Sequence, residues 1–210
     1  MQTKVIKISN GKSKNKDIAL ASLIIKNGGL VISPTDTVYG FLADAQNKKA
    51  VENIFKIKKR PKSKPLPIFV KNLKMAKQLA FIDDSQEKVL KRYWPGKYTF
   101  VLNSKPIFGS IREPSKSQNS KLYGVGKKTI ALRITRHKFL NDLLKKVNKP
   151  LVQTSVNISS QNSLHKIGDI FATFGKNKLI SLIIDAGDIK NAKPSKIIDL
   201  TTKESRILRI

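Results

Sequence analysis

Residues 30–40 read Leu-Val-Ile-Ser-Pro-Thr-Asp-Thr-Val-Tyr-Gly, and this stretch guides the interpretation of the rest of the chain. The first three residues are apolar and predict a short buried strand, which Pro34 ends. Two threonines, an aspartate and a tyrosine follow at the carboxyl end of that strand, where open α/β sheets bind ligands. Two interpretations stay open: a ligand-binding turn, or a tight turn whose Thr and Asp side chains cap the next helix.

Strand and helix patterns alternate on both sides of this turn. Helical periodicity covers residues 17–25, 48–59, 73–80, 86–93 and 139–147, and apolar runs predict strands at 5–8, 30–32, 66–70, 98–102, 129–134, 151–156, 179–184, 197–200 and 207–210. The order favours a twisted mixed sheet flanked by helices over a purely doubly wound sheet. We therefore predict an α/β fold with one domain over residues 1–210, in which the polar, aperiodic residues 111–128 form a flexible loop.

The charge of the chain is strongly positive. Lys and Arg number 42 against 14 Asp and Glu, which gives a formal charge of +28 over 210 residues. Hydrophobic residues make up 40%, which is enough for a folded core and too much for a disordered basic tail. The surplus of lysine has two interpretations, an AT-rich genome or a surface that binds nucleic acid.

Several classes of site are excluded by the composition. There is no cysteine, so disulfides, thiolate catalysis and zinc sites built on cysteine are absent. The two histidines are far apart in sequence, so any metal is expected to enter the site already bound to a small-molecule ligand. No apolar run approaches the roughly 20 residues that cross a bilayer, and we expect a cytoplasmic protein with no membrane contact.

Three further segments carry polar chemistry. Residues 56–64 contain six basic residues and no acid, which is typical of a solvated face, yet Arg60 precedes Pro61 and a restrained guanidinium suits phosphate. Ser155 and Asn157 end an apolar run, and two residues apart on a strand they would share a face. Arg133 lies inside the run Ile-Ala-Leu-Arg-Ile, as either an edge residue or an inward-facing cation that requires an anion.

Taken in order, these motifs resemble the YrdC/TsaC-type threonylcarbamoyl-AMP synthase family in its short, single-domain form. The resemblance begins near Ile18 and covers nearly the whole remaining chain. It is carried by Pro34–Gly40, Lys58–Pro61 with Pro65-Leu66, Tyr93–Gly96 leading to Thr99, Thr129–Arg133, Ser155–Asn157, and Ser195–Asp199 followed by Leu208-Arg209. It implies a YrdC/dihydroxybutanone-phosphate-synthase-like fold.

The resemblance also implies an activity and a set of residue roles. L-threonine, bicarbonate and ATP with Mg²⁺ would give L-threonylcarbamoyl-AMP and pyrophosphate, a nucleotidyl transfer on the route to threonylcarbamoyladenosine in tRNA. The product would pass to tRNA threonylcarbamoyl transferase proteins. Lys58 and Arg60 would act on the ATP phosphates as catalytic residues. Further ATP contacts would come from Thr129, Ser155, Asn157, Ser163 and Arg209. L-threonine would be held by Thr35, Arg133 and Ser195, with Arg133 on its carboxylate. Tyr39 would wall the pocket, and no metal ligand is expected from the protein alone.

The chain departs from the family pattern at several positions. Asp36 stands where Glu is common, Pro194 replaces a small residue, and Ser195-Lys196 stands for a frequent Ser-Thr. Many members carry a His nine residues after the arginine of the Lys-x-Arg motif, and here that residue is Phe69. Because the chain ends at Ile210, the C-terminal domain of longer members is expected to be absent.

Two alternatives to this enzyme remain. The first is a non-catalytic protein that binds tRNA or rRNA on the same basic concave surface; weak tRNA attraction is expected in either case. The second is a related enzyme that activates a different carbamate. The longer enzymes of this kind carry additional zinc-binding domains, which a single-domain chain without cysteine is not expected to contain.

Overall fold

The computed structural model describes residues 3–9, 13–106, 121–190, 193–202 and 204–209. The strands are β1 (Lys4–Lys7), β2 (Leu30–Ser33), β3 (Gly40–Asp44), β4 (Ile68–Phe69), β5 (Tyr98–Asn103), β6 (Thr129–Arg133), β7 (Leu151–Ser155), β8 (Ile180–Asp185), β9 (Lys196–Asp199) and β10 (Arg206–Arg209). The helices are α1 (Asn15–Lys26), α2 (Lys48–Lys58), α3 (Leu73–Leu79), α4 (Asp84–Tyr93), α5 (Lys138–Val147) and α6 (Ile167–Phe174).

The described strands form one mixed sheet in the order β1-β8-β2-β3-β7-β4-β6-β5-β9-β10. The pairs β1–β8, β2–β8, β4–β6 and β5–β9 are parallel, and the other neighbours are antiparallel. This arrangement confirms the predicted α/β fold with a mixed sheet and flanking helices. No helix among the described residues is long and apolar enough to cross a membrane.

Alternating strand residues divide the interior into two cores. Leu30, Ile32 and Phe41 face the first core, which packs against α2, α3, α4 and α6. Val31 and Leu42 face the second core, which packs against α1 and α5. The second core draws its strand residues from β2, β3, β4, β7 and β8.

The sheet face that carries the second core continues over β6, β5 and β9, where other side chains line it. On β6, Ile130 and Leu132 belong to the first core, so the alternate residues Thr129, Ala131 and Arg133 point to the opposite face. Within the described residues these side chains border a cavity, together with Val101 of β5 and Ile197 of β9. The candidate site therefore lies on an open half-face of the sheet.

Two elements differ from the sequence-based prediction. The turn after β2 leads into the strand β3, not a helix, so the helix-capping interpretation of Thr35 and Asp36 is wrong. β3 is buried along its whole length, and a strand with both faces covered lacks the alternation that reveals strands in sequence. The short helix α6 was not predicted. Most of the predicted loop at 111–128 lies outside the described residues, and residues 121–128 form irregular backbone.

Candidate active site

A cavity of about 320 Å³ occupies the open half-face and the adjoining end of β7. Of the residues that the structure describes, four cations line it: Lys58, Arg60, Arg133 and Arg209. Among the described residues that line it there is no carboxylate. A concave site with four cations and no lining acid favours anionic ligands.

The cavity brings together eight of the predicted site residues, which lie up to 151 positions apart in the chain (209 minus 58). They are Lys58, Arg60, Thr129, Arg133, Ser155, Asn157, Ser195 and Arg209. Their convergence agrees with a common ligand site, while the individual roles stay predictions.

Arg60 is held at the rim by the end of helix α2. Lys59 adopts the left-handed conformation as the C-cap, with φ of 49°, and this turns the chain away from the helix axis. The Arg60 guanidinium then donates to the backbone oxygens of Lys64 and Pro65, each at 3.0 Å. These two contacts restrain the side chain without neutralising it, because both acceptors are uncharged. Partial desolvation at the rim lowers the pKa of Arg60.

Lys58 is an unusual buried cation. Its side chain is 2% exposed, and its Nζ donates to the backbone oxygens of Ser155 and Asn157 at 2.6 and 2.9 Å and to Asn157 Oδ1 at 2.8 Å. None of these acceptors is a carboxylate. Burial, and secondarily the nearby Arg60, lower the pKa of Lys58 from 10.5 to about 7. An anion in the cavity would therefore stabilise the ammonium form.

The Ser155–Asn157 pair differs in geometry from the prediction. β7 ends at Ser155, so the two residues do not share a strand face; Asn157 lies in the turn that follows. They do meet, because Ser155 Oγ donates to Asn157 Oδ1 at 2.7 Å. The Asn157 amide closes the turn by donating to the backbone oxygens of Ile158 and Gln161. The turn thus presents the Ser155 hydroxyl beside the Lys58 ammonium.

Arg133 faces inward and has the anionic partner that a buried arginine requires. It is 1% exposed, and its Nη2 donates to Asp36 Oδ1 at 2.6 Å. Nε donates to the Gly96 oxygen at 3.0 Å, and Nη1 donates to Thr37 Oγ1 at 3.1 Å. Desolvation lowers the pKa of Arg133, and the Asp36 carboxylate opposes that shift. Three of its five N–H groups are engaged within the described residues, so two can serve a ligand.

Ser195 and Arg209 form the C-terminal wall. Ser195 Oγ lies 2.9 Å from Thr99 Oγ1, and Arg209 donates to the Ser195 backbone oxygen through Nε and Nη2 at 3.0 and 2.7 Å. Partial desolvation and the facing Arg60 lower the pKa of Arg209. Two guanidinium groups that line one cavity, with no carboxylate among the described lining residues, favour an anionic ligand there.

Three predicted site residues do not line the cavity. The Thr35 hydroxyl is used inside the turn: it donates to the Val38 oxygen at 2.7 Å and accepts from the Thr37 and Val38 amides. Tyr39 is fully buried, donates its hydroxyl to the Gly187 oxygen at 2.7 Å, and burial raises its pKa to about 12, so it buttresses the turn and does not wall the cavity. Ser163 lies in the connection between β7 and α6.

The site also contains polar residues for which the sequence motifs predicted no role. Thr37 and Gln153 line the cavity, and Asp36 lies behind Arg133, where Thr135 Oγ1 at 2.6 Å and the Arg136 amide at 3.0 Å also donate to it. Spacing could have indicated Thr37, which lies two residues after Thr35 in the same turn. Gln153 lies on the strand predicted at 151–156, where no local pattern separates a cavity-lining glutamine from an exposed one.

Comparison with known proteins agrees with this geometry. Residues 23–210 match the model of the Sua5/YciO/YrdC family, which carries the description telomere recombination. The chain belongs to the Sua5/YciO/YrdC family. This confirms the resemblance seen in the sequence, and the Sua5/YciO/YrdC assignment covers every residue described above for the cavity.

Two relatives of this chain are named for the same enzymatic activity. A Methanocaldococcus jannaschii protein, whose name includes threonylcarbamoyl-AMP synthase, is 32% identical over 100% of this chain and 93% of its own length. The threonylcarbamoyl-AMP synthase of Pyrococcus abyssi is 34% identical over 91% of this chain and 53% of its own length. The crystal structure of P. abyssi Sua5 complexed with L-threonine superposes with a TM-score of 0.84 at 31% identity, over 99% of this chain and 57% of that one. The chain thus spans about half the length of the P. abyssi relative.

Proposed function

We propose that the chain is a threonylcarbamoyl-AMP synthase, which converts L-threonine, bicarbonate and ATP to L-threonylcarbamoyl-AMP, pyrophosphate and water. The observation that carries the proposal is the cavity in which Lys58, Arg60, Arg133 and Arg209 meet and which no carboxylate of the described residues lines. The relatives also support the proposal, because they share the name threonylcarbamoyl-AMP synthase. The L-threonine bound to P. abyssi Sua5 supports the same amino acid as substrate here.

The proposed reaction has two steps. The threonine amine attacks the carbon of bicarbonate, and loss of water leaves a carbamate. A carbamate oxygen then attacks the α-phosphorus of ATP, the bond to the β-phosphate oxygen breaks, and pyrophosphate leaves. Every reactant carries negative charge, so the main task of the protein is to hold anions together in line.

The residues of the cavity fit that task. Arg60, two residues beyond the end of α2, would bind the ATP phosphates with Arg209. Lys58, the last residue of α2, would act on them through its charge, since its three N–H groups are engaged, and the Ser155 hydroxyl lies beside it. Arg133 lies deeper and would bind the threonine carboxylate through its two remaining N–H groups. Preorganised cations of this kind stabilise the charge that develops on the leaving pyrophosphate.

Mg²⁺ is proposed to enter with ATP. Among the described residues no three His, Cys, Asp or Glu side chains converge on one point, and the lining of the cavity offers no carboxylate. The proposal therefore assigns the magnesium ligands to phosphate oxygens and water, which bind this ion readily. The metal would neutralise part of the phosphate charge, and the tRNA-modifying transfer proteins that use the product are proposed partners.

The direct test is a complete assay of the purified protein. With ATP, L-threonine, bicarbonate and Mg²⁺, we expect pyrophosphate release together with a nucleotide whose mass equals AMP plus the threonylcarbamoyl group. Omission of threonine or bicarbonate is expected to abolish both products. Pyrophosphate release that does not require threonine would contradict the proposal.

The RNA-binding alternative makes a different prediction. A purely RNA-binding surface would bind tRNA with strong salt dependence, and binding would survive the Ser155→Ala and Arg133→Ala substitutions. If RNA instead occupies the cavity of an enzyme, saturating ATP is expected to displace it. A competition titration of labelled tRNA against ATP separates the two cases.

The low pKa of Lys58 predicts that ATP binding weakens with rising pH. Phosphate favours the ammonium form, so the pKa of Lys58 is higher in the complex than in the free protein, where it is about 7. Binding then takes up a proton, and ATP affinity falls by up to about tenfold per pH unit above pH 7. Calorimetry in buffers of different ionisation enthalpy measures both the affinity and the proton uptake.

Two variants control this experiment. Lys58→Met is expected to bind ATP more weakly and without pH dependence between about pH 7.5 and 9, where ATP itself changes little. Lys62→Met removes an exposed lysine that does not line the cavity, and should keep the wild-type pH dependence. Wild-type affinity that is constant over this range would show that Lys58 does not titrate at the phosphates.

A further inference from the structure

Phe69 lies beside Arg133 and is a neighbour that forms no hydrogen bond with it. It is the last residue of β4, it is 0% exposed, and its register partner on β6 is Arg133. The Arg133 guanidinium carbon lies over the Phe69 ring, 5.5 Å from its centroid. This distance is within the range of a cation–π interaction.

We propose that Phe69 is a positioning residue for the substrate cation Arg133, and that its ring face fixes the guanidinium for the threonine carboxylate. The role of Arg133 rests on the proposed function; the contact between the ring and the guanidinium does not. The ring has no hydrogen-bonding atom, so Phe69 acts on the substrate only through Arg133.

The geometry explains why a ring is needed in addition to the polar partners. Hydrogen bonds to a guanidinium lie in its plane, so Asp36, Thr37 and Gly96 fix its position within that plane. They resist tilting out of the plane only weakly. The face of the Phe69 ring, with its centroid 5.5 Å from the guanidinium carbon, adds an attraction that these hydrogen bonds do not supply, and this cation–π attraction is strengthened because both groups are desolvated.

A tilted guanidinium would misdirect the two N–H groups that remain for the substrate. Bidentate binding of a carboxylate needs two parallel N–H bonds, so it is sensitive to tilt. The cations proposed for ATP are Lys58, at the end of helix α2, and Arg60, two residues beyond it; they lie on a different segment from Phe69 and should not respond. The proposal therefore predicts a selective effect on threonine.

The test changes the electronic character of the ring and keeps its shape. Site-specific replacement of Phe69 by trifluorophenylalanine withdraws electron density from the ring face with little change in volume. We expect the dissociation constant of L-threonine to rise roughly three- to tenfold, with an unchanged KM for ATP and a melting temperature lowered by a few degrees at most. The same replacement at Phe139, which is also fully buried in the second core, is the matched control and should alter neither affinity.

A second measurement separates this proposal from the proposed function. Nuclear magnetic resonance of isotope-labelled arginine reports how fast the Arg133 Nε–H exchanges with water, with no substrate present. We expect faster exchange in the fluorinated protein and in Phe69→Leu than in the wild type. Unchanged exchange together with unchanged threonine affinity would overturn the positioning role, whereas a wild-type protein without threonine-dependent turnover would overturn the proposed function alone.

Discussion

Replacement of Arg60 by alanine is expected to reduce threonine-dependent pyrophosphate release by about two to three orders of magnitude, which corresponds to the loss of one charged phosphate contact. The Arg60 guanidinium is aimed at the cavity by the Lys64 and Pro65 oxygens and has no acidic partner in the described structure. Its charge is therefore available to phosphate. The measurement is initial-rate kinetics over a range of ATP concentrations.

The effect should be confined to activity. Arg60 is only partly buried and contacts backbone oxygens that solvent can satisfy after its removal, so the melting temperature should change by a few degrees at most. Lys62→Ala is the matched control, since Lys62 lies two residues further on, is exposed, and does not line the cavity. A loss of rate as large in Lys62→Ala as in Arg60→Ala would mean that general positive charge, and not the fixed guanidinium, sustains the reaction.

Arg133→Met is expected to abolish measurable threonine-dependent turnover and also to destabilise the fold. It removes the proposed carboxylate contact, and it leaves the Asp36 carboxylate without its cation in a largely buried turn. Breaking a buried ion pair costs roughly 3–5 kcal/mol of unfolding free energy. Thr135 and the Arg136 amide still donate to Asp36, so the cost should fall near the lower end of that range. Chemical denaturation of the variant measures it.

A double substitution separates the two losses. In Asp36→Asn/Arg133→Met the unpaired charge is gone, so much of the lost stability should return, while threonine-dependent turnover stays absent. Recovery of turnover together with stability would show that Arg133 supports the turn without binding substrate. Failure of stability to recover would place the cost of Arg133→Met in lost packing against Phe69.

The basic residues behind the net charge of +28 lie in two kinds of place, the cavity and the exposed surface. Four of the 42 basic residues meet in the cavity, where the absence of lining acids among the described residues leaves their charge unneutralised. Lysines such as Lys59, Lys62 and Lys64 remain exposed near the rim. They are the expected source of the weak, salt-dependent attraction to tRNA that the sequence predicts, and the cavity is the proposed specific anion site.

The sequence by itself determined most of the elements in their order, the mixed α/β fold and the family, because strand and helix periodicity and the ordered motifs are local properties of the chain. It also named eight of the residues that meet in the cavity. It missed β3, which is buried on both faces and lacks alternation, and it assigned Tyr39 to a wall that this residue does not form.

Only the tertiary structure decided what each side chain faces. Asp36 and Arg133 are 97 residues apart, and no local pattern indicates that one neutralises the other and so fixes it beside the ring of Phe69. The sequence likewise shows a lysine at 58, but not that its ammonium is surrounded by neutral oxygens in place of a carboxylate. Burial and partner choice depend on which strands become neighbours, and this is set by packing over the whole sheet.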